Sequence, residues 1–77
     1  EWTIIRPGGL KEDEIIDNQN VLYSKKDTQT KGSIPRRIVA RCCIEAIKNK
    51  ESINKIIEIT SSTEYKKVAF EKAIQSI

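Results

Sequence analysis

A few short groups of residues could do chemistry. Arg6-Pro7-Gly8-Gly9 joins a cation to a proline and two glycines. Proline offers no backbone N–H, and glycine admits positive φ and the close approach of another group to the main chain. Such a turn either reverses the chain or forms a wall for a ligand. Ser33-Ile34-Pro35-Arg36-Arg37 puts two guanidinium groups where a helix would begin. A helix N-terminus favours anions and the arginines add charge, but a solvated helix start has the same composition. Cys42 and Cys43 are adjacent and cannot bridge each other without strain. A reactive thiol would need an exposed, electropositive setting, and their place on an apolar helix face reads instead as two small core residues. The chain has no histidine and only these two cysteines, too few ligands for an ordinary zinc site within one chain.

The elements that must position these residues are few. The chain has 77 residues, one small domain or a piece of a larger one. It has neither a disulfide staple nor a metal to compensate for a small core. Unpaired cysteines fit a reducing compartment, the cytoplasm or another such as the plastid stroma. The net charge is +3, from 14 basic and 11 acidic residues with the signs interleaved. That mild excess, with scattered aromatics, lacks the basic stripe and stacking residues of a nucleic-acid interface. No apolar run approaches the ~20 residues of a membrane span. The chain begins Glu-Trp-Thr, so we expect its true start to lie upstream.

Residues 2–6 read as a strand, apolar without clean alternation, as in a parallel strand covered on both faces. Trp2 reads as sheet packing rather than as a stacking platform. Residues 11–20 are polar and turn-rich and read as a loop. Residues 21–24 fit a short strand, and residues 25–32 read as a second loop of mobile character. Residues 35–49 form the clearest helix. Pro35 suits its first position, and Val39, Cys42, Cys43, Ala46 and Ile47 make one apolar face that Ile38 broadens. Residues 54–60 return to strand character through Ile56, Ile57 and Ile59. Ser61 and Glu64 match a capping box, predicting a helix over 63–76 with Tyr65, Val68, Ala69 and Ile74 on one face and Phe70, Ala73 and Ile77 on an overlapping one. The order predicts parallel neighbours 2–6 and 56–60, joined by a right-handed crossover through the helix. The fold class is α/β, a strand-helix-strand-helix portion of a parallel sheet. Helices on one face would leave the other face open, which parallel sheets avoid, and this points to an absent N-terminal half.

Thr3-Ile4-Ile5-Arg6-Pro7-Gly8-Gly9-Leu10, Ser33-Ile34-Pro35-Arg36-Arg37-Ile38-Val39-Ala40 and Asn54-Lys55-Ile56-Ile57-Glu58-Ile59-Thr60 resemble, in order and spacing, three late segments of atypical short-chain dehydrogenase/reductases. The resemblance spans nearly the whole chain. It implies that residues 1–77 are the C-terminal fragment of an NAD(P)-binding Rossmann-like domain, residues 2–6 being the sixth strand of seven and residues 54–60 the seventh, at the far edge. The Gly-rich phosphate loop would lie upstream, and no G-x-G-x-x-G occurs here. Tyr23 and Lys25 match neither the position nor the spacing of the family's Tyr–Lys pair, so no catalytic residue is assigned.

The resemblance also implies site roles. Arg6, Pro7, Gly8 and Gly9 would bind cofactor beside the nicotinamide ring, the glycines making room for it at the carboxyl end of a strand. Arg36 and Arg37 would face substrate. Relatives often carry Asp where this chain has Ile38, which puts the local geometry of that motif in question. NAD or NADP would be the cofactor of the full-length parent, with none bound by the fragment alone. The partners would be the missing N-terminal half and a small organic substrate, with no nucleic acid and no membrane span. The parent would be an NAD(P)-dependent oxidoreductase. Alternatives are a non-catalytic dinucleotide-binding scaffold or sensor, and a free-standing small α/β interaction module.

Overall fold

A computed structural model of the chain describes residues 1–12 and 19–77. Strand β1 (Thr3–Pro7) is followed by β2 (Gly9–Lys11), β3 (Asn20–Ser24) and β4 (Ser33–Pro35). Helix α1 (Arg36–Lys48), a 3₁₀ turn (Lys50–Ser52), β5 (Lys55–Ser62) and α2 (Phe70–Gln75) complete the order. β1 and β5 pair in parallel, Thr3 opposite Lys55 and Ile5 opposite Ile57, as expected. The class is α/β, compatible with a Rossmann-like arrangement.

The position of β5 differs from the expectation. It is the middle strand of the order β1-β5-β3 rather than the edge. β3 flanks it antiparallel, with Tyr23 opposite Ile59 and Leu22 opposite Thr60. The physical reason lies in β5 itself, where Ile57, Glu58, Ile59 and Thr60 are all buried. A strand buried on both faces needs partners on both edges. Of the loop expected over residues 11–20, Lys11 closes β2 and Asn20 opens β3, while residues 13–18 lie outside the described residues.

Alternation separates the two faces of the sheet. Ile57 and Ile59 point towards the helices and form the core with Ile34, Ile38, Cys42, Ala46, Phe70 and Ile74. Ile5, Val21 and Tyr23 pack against this cluster, and the Tyr23 and Phe70 rings meet edge to face at 5.3 Å. The opposite face carries Ile4 and Leu22, 46% and 41% exposed, beside Trp2 at 50%. Trp2 therefore packs less fully than its strand-like setting implied.

Helix α1 starts and ends within a residue of expectation, but its buried stripe is narrower. Ile38, Cys42 and Ala46 face the core, whereas Cys43 is exposed and Ile47 is 86% exposed. Ile38 thus fills core volume at the position where a charged residue would need a partner. Ser52 ends this region: its buried hydroxyl lies 2.7 Å from both the Ala46 and the Asn49 carbonyl and gives its one proton to a helix-end acceptor.

The last helix is much shorter than predicted. Ser61 and Ser62 remain in β5 because β3 pairs with them through Val21 and Asn20. The Ser61–Glu64 capping box therefore does not form, and the Glu64 N–H instead takes the Ser62 hydroxyl at 3.1 Å. α2 begins only at Phe70, with Phe70 and Ile74 turned into the core and Val68 left 48% exposed. Among the described residues, no helix is long and apolar enough to cross a membrane.

Candidate functional site

β1 delivers Arg6 and Pro7 to its carboxyl end, and the chain turns at Gly8 into β2. The Gly8 N–H donates to the Ile59 carbonyl at 2.9 Å and the Gly9 N–H to the Gly32 carbonyl at 3.2 Å. β2 then pairs in parallel with β4, Gly9 opposite Ser33 and Leu10 opposite Ile34. The two motifs singled out in the sequence, around Pro7-Gly8-Gly9 and Ser33-Ile34-Pro35, are thus brought side by side. A cavity of about 220 Å³ lies there, lined by all of residues 6–9, residues 29–32 and residues 58–60. This is the carboxyl end of a parallel strand, where open α/β sheets bind ligands.

The glycines do different work. A Cβ on Gly8 would stand 2.8 Å from the Thr60 methyl and 2.9 Å from the Gly32 carbonyl oxygen. The space on the Cβ side of Gly8 is therefore filled by the protein's own chain. Gly9 is open, since its Cβ would meet the Gly32 carbonyl oxygen only at 3.7 Å. Gly32 has φ +118°, and its Cβ would come within 2.9 Å of Thr60, so this position needs glycine on both counts.

Arg36 and Arg37 open α1, next to β4. The Arg36 guanidinium lies 3.3 Å from the Glu12 carboxylate and 3.4 Å from the Lys11 carbonyl. Among the described residues the cavity lining includes neither Arg36 nor Arg37, so the structure sets the first candidate group at the β1–β2 turn and the second at the start of α1 without joining them in one pocket. A larger cleft of about 860 Å³ lies elsewhere, where Tyr23, Arg41, Cys42 and Glu45 meet residues 67–71. It contains none of the candidate site residues. Burial pushes the Tyr23 phenol and the Cys42 thiol up, which makes both poor anions there.

Sequence reasoning missed Glu58, Gln29, Gly32 and Thr60. Glu58 is buried in β5, and its carboxylate accepts the backbone N–H groups of Gln29 (2.9 Å), Asp27 (2.5 Å) and Thr28 (3.2 Å). Arg6 approaches the same carboxylate at 3.5 Å and Asp27 at 3.2 Å. The Gln29 side-chain amide donates to the Leu22 carbonyl, the Ser24 hydroxyl and the Glu58 carbonyl, and its own carbonyl accepts the Thr60 hydroxyl. Residues 25–32, expected as a mobile loop, are tied across the sheet by these bonds. The signal was present: an acid inside Ile56-Ile57-Glu58-Ile59 needs partners to be buried.

The Gln29 and Asp27 amides, with a smaller contribution from Thr28 and Arg6, hold the Glu58 carboxyl below the ordinary glutamate range, outweighing desolvation. Because the folded pKa is depressed, the stabilisation is present above the unfolded value and is lost as pH falls through the folded one. We expect the gap in denaturation midpoint between wild type and Glu58→Gln to be full at neutral pH. It should shrink once pH drops below the ordinary glutamate range. Urea titrations at a series of pH values would check this, and a gap independent of pH would contradict it.

A family model described as NAD(P)H-binding matches residues 1–50. The chain belongs to the NAD(P)H-binding family. The matched part runs from β1 through α1 and so contains residues 6–9 and both arginines, with β5 and its Glu58 outside it. An uncharacterized chloroplastic protein of Arabidopsis thaliana is 38% identical over 76 residues, which are 99% of this chain and 26% of that protein. This member of the NAD(P)H-binding family therefore spans about a quarter of the length of the relative it matches.

Proposed function

We propose that the chain is the C-terminal, substrate-side part of an NAD(P)-dependent oxidoreductase of the atypical short-chain dehydrogenase/reductase kind. The observation that carries this reading is the placing of Arg6-Pro7-Gly8-Gly9 around a cavity at the carboxyl end of β1, in a chain of the NAD(P)H-binding family. Pro7 and the open side of Gly9 would border the nicotinamide, Gly8 would hold the turn against Gly32, and Arg36 and Arg37 would lie on the substrate side. The bound dinucleotide would supply hydride transfer. The chain's own part is to bound the ring, keep water from one side of it and present the arginines' charge.

In this reading the rest of the domain supplies the phosphate-cradling loop and packs on the face carrying Trp2, Ile4 and Leu22. Their exposure supports that arrangement, since parallel sheets are normally covered on both faces. A reducing compartment fits the free thiols of Cys42 and Cys43, and the relative's chloroplastic description favours the plastid stroma over the cytoplasm.

Titration of NADH and NADPH into the isolated chain, followed by amide chemical shifts, tests the proposal. We expect no saturable binding with Kd below about 10 μM, roughly −7 kcal/mol. When the chain is joined to its upstream half we expect saturable binding, with shifts at Gly8, Gly9 and Gly32. Tight binding by the isolated chain would show that the site is not split. Shifts confined to the Tyr23 and Cys42 cleft would place it elsewhere.

A further inference from the structure

Glu58 is joined to the candidate site through a continuous series of contacts. Its carboxylate collects three successive backbone N–H groups, those of Asp27, Thr28 and Gln29. Successive main-chain N–H groups turned inwards make an anion-binding concavity, and here the anion is the protein's own. Thr28 steadies the turn by donating its hydroxyl to the Lys25 carbonyl. Gln29 then fixes the segment to β3 and β5 through its side-chain amide. Three residues later the chain reaches Gly32, whose carbonyl accepts the Gly9 N–H and stands against Gly8. Arg6 closes the circuit, because it touches Asp27 and Glu58 and also lines the cavity.

We propose that Glu58 is a positioning residue of the candidate cofactor site, holding residues 27–32 so that the Gly32 carbonyl fixes Gly8 and Gly9 and sets the form of the cavity. The proposal rests on the reading of that turn as a ligand-side loop. A carboxylate is a costly choice for a strand interior, and an apolar residue of similar volume is often as stabilising there. What an apolar residue cannot do is gather three backbone amides and hold them to the strand. The charged groups facing Glu58 are Arg6 from β1 and Asp27 from the loop, and β3 presents the uncharged Ser24 opposite it.

Amide hydrogen exchange on the full chain tests this without any ligand. In Glu58→Gln we expect exchange to quicken about tenfold or more at Asp27, Thr28, Gln29 and also Gly9, as hydrogen bonds to a charged acceptor weaken. The β1–β5 amides should quicken only by the factor that the loss of global stability sets, well short of the change at residues 27–29 and Gly9, and Glu64→Gln, which alters an exposed carboxylate, should change none of these. Quickening confined to residues 27–29 would show that the carboxylate holds the loop but not the site, and overturn the proposal. Equal quickening along the whole chain would mark a merely structural residue, with the same result. If the variant fails to fold, the wild-type protein decides the matter. Its Gly9 amide shift should follow the Glu58 carboxyl as pH falls, and a Gly9 that does not respond would overturn the proposal. These readouts are independent of dinucleotide titration, so failure here is distinct from failure of the oxidoreductase reading.

Discussion

Gly8→Val should lower the thermal midpoint of the chain by many degrees. The first side-chain atom alone would stand 2.8 Å from the Thr60 methyl and 2.9 Å from the Gly32 carbonyl oxygen. Neither neighbour yields easily: Thr60 is 2% exposed, and Gly32 is held at φ +118°. Overpacking of this kind costs about 1–3 kcal/mol and sometimes more. A chain of this length has only about 4–12 kcal/mol in hand at the usual stability per residue, and each kcal/mol moves the midpoint by roughly 4–8 °C. Gly8→Ala should show much of the same loss, because the clash is with Cβ. Thr60→Ser in the Gly8→Ala background should recover part of it by removing the methyl. Gly9→Ala, with its open side, should stay within about 0.5 kcal/mol of wild type. Melting curves for the four variants suffice, and wild-type melting of Gly8→Ala would remove the claim that Gly8 is packed against Gly32.

Ile57→Ala should destabilise the chain by about 2–5 kcal/mol, a large part of its total stability. Ile57 has no exposed surface and belongs to a core that counts eight buried residues among those described. A core so small has few atoms available to close around the space left behind, which argues for the upper half of the range. Ile47→Ala should change stability by no more than about 0.5 kcal/mol, because Ile47 is 86% exposed. The pair also decides which stripe of α1 packs inward. Comparable losses in urea titrations of the two variants would mean that the Ile38, Cys42 and Ala46 stripe is not the buried one.

The long elements were legible in the sequence because their signals are local. The run of isoleucines in β5, the mixed apolar run of β1 and the periodicity of α1 each announce themselves, and their order implies the parallel pairing seen between Ile5 and Ile57. What was not legible depends on partners far along the chain. β2 and β4 have three residues each, and they exist through their mutual pairing beside Gly32. Ser61 and Ser62 carry a helix-start pattern, yet pairing with β3 overrode it. The apolar face expected for α1 holds all three buried residues, Ile38, Cys42 and Ala46, but extends too far round, taking in the exposed Cys43 and Ile47, because cysteine and isoleucine occur on both sides of the buried stripe. For the candidate site, the Pro-Gly turn was visible as composition. The partition of labour between Gly8 and Gly9, and the tie from Glu58, required coordinates.

The parallel pairing of β1 with β5 joins opposite ends of the chain, Thr3 with Lys55 and Pro7 with Ile59. Loop-closure entropy makes such contacts late to form, since chain must be ordered before they repay it. The neighbouring pieces α1, β5 and α2 can associate with much shorter closures. We therefore expect β1 to dock last during folding and detach first on warming, with its amides exchanging ahead of those in the middle of β5. Uniform exchange across both strands would contradict this order. The Pro-Gly turn sits at the end of that last strand to arrive. A molecule that grips it would also keep the longest closure shut, and so would stabilise the entire chain by mass action in proportion to its occupancy. Ligand at this edge and completion of the fold would then be one equilibrium.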